Sequence, residues 1–394
     1  MMDIFEKCAQ FTQAREAMSL GLYPYFIPLS ENEGTEAEFQ GHRLLMLGSN
    51  NYLGLTTHPR VRQAAQEAIA RFGTSCTGSR FLNGTLELHE ELERRLAEWV
   101  GKEAALVFST GMQTNLGTIS ALAGRGDIVI LDREDHASIV DGARLGMGEI
   151  KRFRHNDLNQ LRHVLEKLPE DKGKLLVVDG LFSMEGDIAP LPEIIPLCRE
   201  FGVRLMVDDA HALGVLGGGR GTAAHYGLTE GVDLIMGTFS KSLASLGGFI
   251  AGDEEVVHYI KHHARSLIFS ASIPAPNAAA ALEALKIIQE EPERVAQVNH
   301  WGDFMRRELN NLGFDTGDSV TPVVPIIIGS DELTLVTWKA LFGAGVFVNP
   351  VLSPAVPQGR QLLRTSYMAT HTQEQLERAL EVFARVGKEV GLIS

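Results

Sequence analysis

The chain has 394 residues, 44% of them hydrophobic, enough for a large buried core in two or three domains. A formal net charge of -14, with no long basic run, excludes a nucleic-acid groove. The three cysteines, Cys8, Cys76 and Cys198, are far apart and form no CxxC, which excludes a disulfide framework or a cysteine-based metal site and fits a reducing, cytoplasmic compartment.

In chain order, "MMDIFEKCAQ" carries acids and few apolar residues, so it does not read as a signal peptide. No apolar run approaches the length of a spanning helix. Residues 1–49 read as an N-terminal arm. Residues 50–274 alternate short apolar runs with amphipathic stretches. The runs are "AALVFST", "DIVILD", "IKRFRH", "KLLVVDG", "VRLMVDD", "DLIMGTF" and "GGFIAGD". Several lack strict alternation, as strands covered on both faces do. Between them, "TLELHEELERRLAEWVG" sets Leu88, Leu92, Leu96 and Trp99 on one helical face and stops at Gly101. This alternation predicts a mostly parallel α/β sheet. Residues 275–394 read as a smaller α+β domain. Its helices break near Pro292, and short strands follow at "PVVPIIIG", "GVFVNPV" and "LLRTSYM". A last helix starts at Thr372, which forms a capping box with Gln375.

Several familiar motifs fail. Ser240 precedes Lys241 where a P-loop needs glycine. "GVLGGGRGT" has Thr222 where a dinucleotide fingerprint needs its third glycine. There is no HExxH and no GxSxG, and no metal site is expected.

Four strand-end loops remain, and ligands of α/β sheets bind at strand C-termini. In "FSTGMQTN" the amides of Gly111 and Met112 open a helix and either hold a phosphate or merely connect. In "DREDHASIVDG" His136 is either a structural histidine or a ring that stacks on a flat ligand. In "VRLMVDDAHALG" Asp208 ends a buried strand, where a carboxylate needs a cationic partner, and His211 follows. In "GTFSKSLASLGG" Thr238 and Ser240 offer hydroxyls beside the amine of Lys241, a strand-end charge or a desolvated nucleophile. A reactive lysine, an aspartate for a pyridine nitrogen, a stacking ring and a phosphate cup, in this order, are what pyridoxal 5'-phosphate requires.

The chain also resembles the α-oxoamine synthases, a branch of the fold-type I pyridoxal-phosphate enzymes. The marks are "SNNYLGL", "GTSCTGSRFLNGT", "FSTGMQTN", "FSMEGD", "VDDAHALGVLGGGRG", "GTFSKS", "FSASIP" and "LLRTSYMATHT". The resemblance implies an aminotransferase-like fold: a large domain with a mostly parallel seven-stranded sheet and a smaller C-terminal α+β domain. It also implies the decarboxylative condensation of an amino acid with an acyl-CoA. The lysine loop and "LLRTSYMATHT" are most similar to the soluble bacterial serine palmitoyltransferases, which implies L-serine and a long-chain acyl-CoA as substrates. Glycine C-acetyltransferase, 8-amino-7-oxononanoate synthase and an aminotransferase of the same fold are the alternatives. By the same resemblance Lys241 carries the cofactor and acts as base, Asp208 holds the pyridine nitrogen, and His211 and Ser183 sit beside the ring. His136 stacks on the ring, and Gly111, Met112, Thr238 and Ser240 hold the phosphate. Ser270 and Ser272 serve the phosphate of the neighbouring subunit of a homodimer. Arg364, helped by Asn50, grips the substrate carboxylate. Peripheral contact with a membrane stays open.

Overall fold

The computed structural model describes residues 3–32 and 34–394. The seven apolar runs form one sheet. Its strands are β1 (Ala104–Phe108), β2 (Ile128–Asp132), β3 (Glu149–Phe153), β4 (Lys174–Asp179), β5 (Arg204–Asp208), β6 (Leu234–Thr238) and β7 (Gly248–Gly252). Their spatial order is β1-β7-β6-β5-β4-β2-β3, with β7 antiparallel to both neighbours and the other strands pointing one way. Every residue of β2, β6 and β7 is buried, because helices cover both faces of the sheet. This is the mainly parallel seven-stranded sheet expected.

Helix α1 (Glu87–Val100) buries Leu92, Leu96 and Trp99 and ends at Gly101, whose left-handed φ of 73° lets its N–H close on the Ala97 carbonyl. Helices α2 (Gly111–Leu122) and α3 (Ala137–Leu145) start where β1 and β2 end, at the same edge of the sheet. Register matters there: β4 and β5 set Asp179 directly beside Asp208.

The small domain carries an antiparallel sheet of β8 (Val323–Ile327), β9 (Asn349–Val351) and β10 (Leu362–Ser366), with β10 central. Its last helix has the expected capping box: the Thr372 hydroxyl accepts from the Gln375 N–H, and the Gln375 side chain accepts from the Thr372 N–H.

Contacts cross both expected domain boundaries. The arm does not stand apart. Glu36–Phe39 and His42–Met46 form a hairpin, and Leu45 pairs in parallel with Val346. Leu45 and Leu47 then bury against Trp338, Val346 and Leu363 of the small domain. At the other boundary, α4 (Ala275–Glu290) is rich in alanine, and its small side chains let it pack closely on the large-domain core. Helix α5 (Glu293–Asn311) bridges the two, with Val295 and Val298 in the large core and Trp301 and Met305 in the small one. We propose a division within α5 rather than before α4, with residues 36–47 joined to the small domain. No helix among the described residues is long and apolar enough to cross a membrane.

Candidate active site

The C-terminal ends of β2, β4, β5 and β6 and the N-terminus of α2 converge on one cavity. Gly111, Met112, His136, Ser183, Asp208, His211, Thr238, Ser240 and Lys241 all line it.

One end of the cavity suits an anion. The Thr110 hydroxyl caps α2 by accepting from the Gln113 N–H, and Gly111 and Met112, whose amides have no partner within the helix, line the cavity. Opposite them the Thr238 and Ser240 hydroxyls lie 2.9 Å apart. Glycine is required at position 111, since a Cβ there would stand 2.7 Å from Thr238 Oγ1. Gly247 is similarly constrained. Its φ is 137°, and a Cβ would meet the Phe239 ring at 2.4 Å. The lysine loop can thus turn back tightly over β6.

At the centre, Asp208 Oδ1 accepts from the Ala210 N–H at 2.9 Å and Oδ2 from Asn115 Nδ2 at 2.7 Å. His136, at the N-cap of α3, is held from two sides. Its backbone N–H donates to Asp179 Oδ2 at 2.8 Å, and its Nδ1 bonds the Ser138 hydroxyl at 2.8 Å. Burial lowers the His136 pKa, and the nearby Lys241 charge adds to this while the Asp208 charge opposes it. Burial raises the Asp179 carboxyl well above the usual range, and the Asp208 charge pushes it further. Burial also brings the Lys241 amine down to about 8, with the Arg364 charge adding to it against the pull of Asp208 and Asp179. An amine with that pKa is a competent nucleophile and base near neutral pH.

The third region belongs to Arg364. It sits mid-strand on β10, 5% exposed, and its Nε donates to the Ser183 carbonyl. Its Nη2 donates to the Tyr52 hydroxyl at 3.2 Å. The same hydroxyl bonds His211 Nδ1 at 2.7 Å and reaches Asn50 Oδ1 at 3.4 Å. Burial, followed by the charges of Lys241 and Arg364, holds the His211 pKa well below its ordinary value, so its ring is neutral. No carboxylate pairs with Arg364 among the described residues; its partners are one carbonyl and one phenol.

Ser270 and Ser272 do not line this cavity. Ser270 Oγ accepts from Gln113 Nε2 at 2.9 Å, and the Ser272 hydroxyl donates to the Gly78 carbonyl at 3.1 Å. Asn50 and Arg364 adjoin the cavity through Tyr52 rather than line it. The sequence reading missed Asn115, Ser138, Asp179 and Tyr52. The signal for Asp179 was present, since it ends a buried strand as Asp208 does.

The donor set fits pyridoxal phosphate. Helix amides and hydroxyls match the phosphate, Asp208 the pyridine nitrogen, the His136 ring the flat face, and the Lys241 amine the aldehyde. That set would be odd for a purely structural cavity, because it gathers two carboxyl groups and an amine in one lining, where burial is costly without a partner.

Comparisons with known proteins agree. The serine palmitoyltransferase of Sphingobacterium spiritivorum is 51% identical over 390 residues, covering 99% of this chain and 98% of that protein. The structure of Sphingomonas wittichii serine palmitoyltransferase superposes with a TM-score of 0.97 at 38% identity, covering 100% of both chains. That of S. paucimobilis serine palmitoyltransferase with bound PLP-myriocin aldimine gives 0.97 at 36%, again covering 100% of both. The family model for aminotransferase class I and II matches residues 42–383, and the chain belongs to that family.

Proposed function

We propose that the protein is a pyridoxal-phosphate-dependent acyltransferase that condenses L-serine with a long-chain acyl-CoA, palmitoyl-CoA above all. The products are 3-ketosphinganine, coenzyme A and carbon dioxide. The observation that carries this reading is the buried Arg364 guanidinium, unpaired by any carboxylate among the described residues and close enough to Lys241 for its charge to act on the amine. A site with a cofactor lysine and a waiting arginine is built for an amino-acid carboxylate. Full-length identity to serine palmitoyltransferases supports serine and the long acyl chain.

When bound, pyridoxal phosphate supplies a ring that accepts the electrons left on the amino-acid α-carbon. The chain's own groups do the rest. The α2 amides with Thr238 and Ser240 anchor the phosphate. Asp208 keeps a proton on the ring nitrogen. His136 covers one ring face, and neutral His211 donates to the ring oxygen. Arg364 fixes the serine carboxylate by its planar fork. Lys241 takes the α-proton and later returns one. Electrostatic holding of this kind stabilises charge as it develops. We infer that a second copy of the chain closes the site, in a homodimer located in the cytoplasm. Exposed apolar side chains around the cavity mouth, Met112 and Leu246 among them, support that inference.

Borohydride reduction and peptide mapping should place the pyridoxyl group on Lys241. Spectral titration with glycine, alanine and serine, followed by acyl-CoAs of rising length, should favour serine and long chains. Each buried methylene contributes about 0.8 kcal/mol, so chain length should show in KM. Faster release of coenzyme A from alanine with pimeloyl-CoA, or from glycine with acetyl-CoA, would overturn the substrate assignment.

A further inference from the structure

Asn115 lies one turn inside α2, fully buried, with no place in the roles above. Its Nδ2 is 2.7 Å from Asp208 Oδ2 and 2.8 Å from Ser138 Oγ. Ser138 Oγ is in turn 2.8 Å from His136 Nδ1. The four side chains form one continuous path from the ring-nitrogen carboxylate to the stacking imidazole.

The polarity of that path is determined by its ends. A carboxylate oxygen only accepts, so the Asn115 atom facing Asp208 must be the amide nitrogen. The same nitrogen faces Ser138 and donates there as well. Ser138 Oγ therefore accepts from Asn115, and its single proton goes to His136 Nδ1. The Ser138 backbone N–H also points at Nδ1, at 3.2 Å. With two donors aimed at it, Nδ1 carries no proton, and the imidazole proton sits on Nε2. The arrangement has a cost that shows it is held in place: Asn115 Oδ1 is buried without a partner among the described residues. Turning the amide would set its oxygen against the Asp208 carboxylate, which cannot donate to it.

We propose that Asn115 is a positioning residue that orients the Asp208 carboxylate and, through Ser138, sets the tautomer and plane of the His136 ring. The inference deepens the pyridoxal-phosphate reading and rests on it. By this route the two faces of cofactor control are linked: one amide donates to the group that holds the ring nitrogen and to the hydroxyl that donates to the group that covers the ring.

The test uses the full chain with two variants, Ser138→Ala and Asn115→Leu. Ser138→Ala cuts only the link to His136, whereas Asn115→Leu removes both bonds at similar volume. In the cofactor-free protein, nitrogen-15 NMR of labelled histidine reads the His136 tautomer, assigned by the signal lost in His136→Gln. Wild type should show the proton on Nε2 alone, and both variants should show mixed tautomers, because the backbone N–H of residue 138 that still faces Nδ1 is the longer contact, 3.2 Å against 2.8 Å for the hydroxyl. Pyridoxal-phosphate affinity, read by equilibrium dialysis, should stay near wild type in Ser138→Ala. It should fall roughly 10- to 100-fold in Asn115→Leu, the range for removing a partner behind a ligand-binding group. An unchanged His136 tautomer in Ser138→Ala overturns the relay, and that result decides alone if Asn115→Leu fails to fold. Wild-type cofactor affinity in folded Asn115→Leu overturns the positioning of Asp208. A wild-type protein that takes up no pyridoxal phosphate would instead sink the functional reading, and the tautomer measurement would still judge the relay.

Discussion

Arg364 shows how one residue carries specificity. A guanidinium taken out of water costs several kcal/mol unless it is paired, and here its partners are a carbonyl and a phenol. The position is fixed because β10 is central in its sheet, which pairs Arg364 with Pro325 on one side and Asn349 on the other. Lysine at this position keeps the charge but loses the fork. Arg364→Lys should therefore raise the KM for serine about 10- to 100-fold, since a hydrogen bond to a charged group contributes about 1.5–3 kcal/mol. Cofactor absorbance should be unaltered. Steady-state kinetics with an unchanged serine KM would return Arg364 to a structural role. At the centre of the site, Asp208→Asn should fold, as judged by circular dichroism, yet turn over on the order of 10²-fold more slowly or worse.

Among the elements, the loop after β4 is pinned by a charged clamp. His155, just past β3, bonds Asp132 at the end of β2 through Nδ1 at 3.2 Å and Asp187 through Nε2 at 2.8 Å. Its ring lies edge-on to Phe182, centroids 4.4 Å apart. Asp187 and Phe182 flank Ser183, so the clamp holds the carbonyl that Arg364 uses. Burial opposes the charged imidazole, but the two carboxylates outweigh it and lift the pKa from 6.5 to about 10. A raised folded-state pKa means that the clamp stabilises fully below 6.5, weakens as pH climbs and is lost once pH passes about 10. His155→Gln should accordingly unfold more easily than wild type at pH 6.5 in urea, with the gap closing toward pH 10. An equal gap at both pH values would mean that the ring is neutral. Nothing local in the sequence announces this clamp, because its partners lie 23 and 32 residues away. The same holds for Tyr52, which reads as core within "NNYLGL", and for Asn115, which reads as one more polar residue in a helix. What the sequence does reveal are residues at the ends of double-covered strands, such as Asp208, Thr238 and Lys241. There the switch from apolar to polar is abrupt and carries its own cost. The hairpin at residues 36–46 escaped notice because its strands are short and charged, and their support comes from Val346.

For the molecule as a whole, large apolar side chains left exposed support the proposed pairing. Leu82, Phe269 and Phe81 are 78%, 74% and 57% exposed, unusual for a chain with so large a core. If Ser270 and Ser272 serve the partner's phosphate, Lys241→Ala and a Ser270→Ala, Ser272→Ala double variant should complement when refolded together. Each mixed dimer would then hold one intact site, so about a quarter of wild-type activity should return. A fully active monomer in sedimentation would contradict the shared site. The pairing of Leu45 with Val346 has a different consequence, one of timing. The two residues are 301 positions apart, and a ribosome adding roughly 5–20 residues per second needs about 15–60 s to travel between them. Through that interval the N-terminal hairpin is an unfinished sheet with a bare edge, while the large domain has its full set of strands. A segment made early is thus among the last to find its place, and the newborn protein must keep that edge from other chains until Val346 arrives.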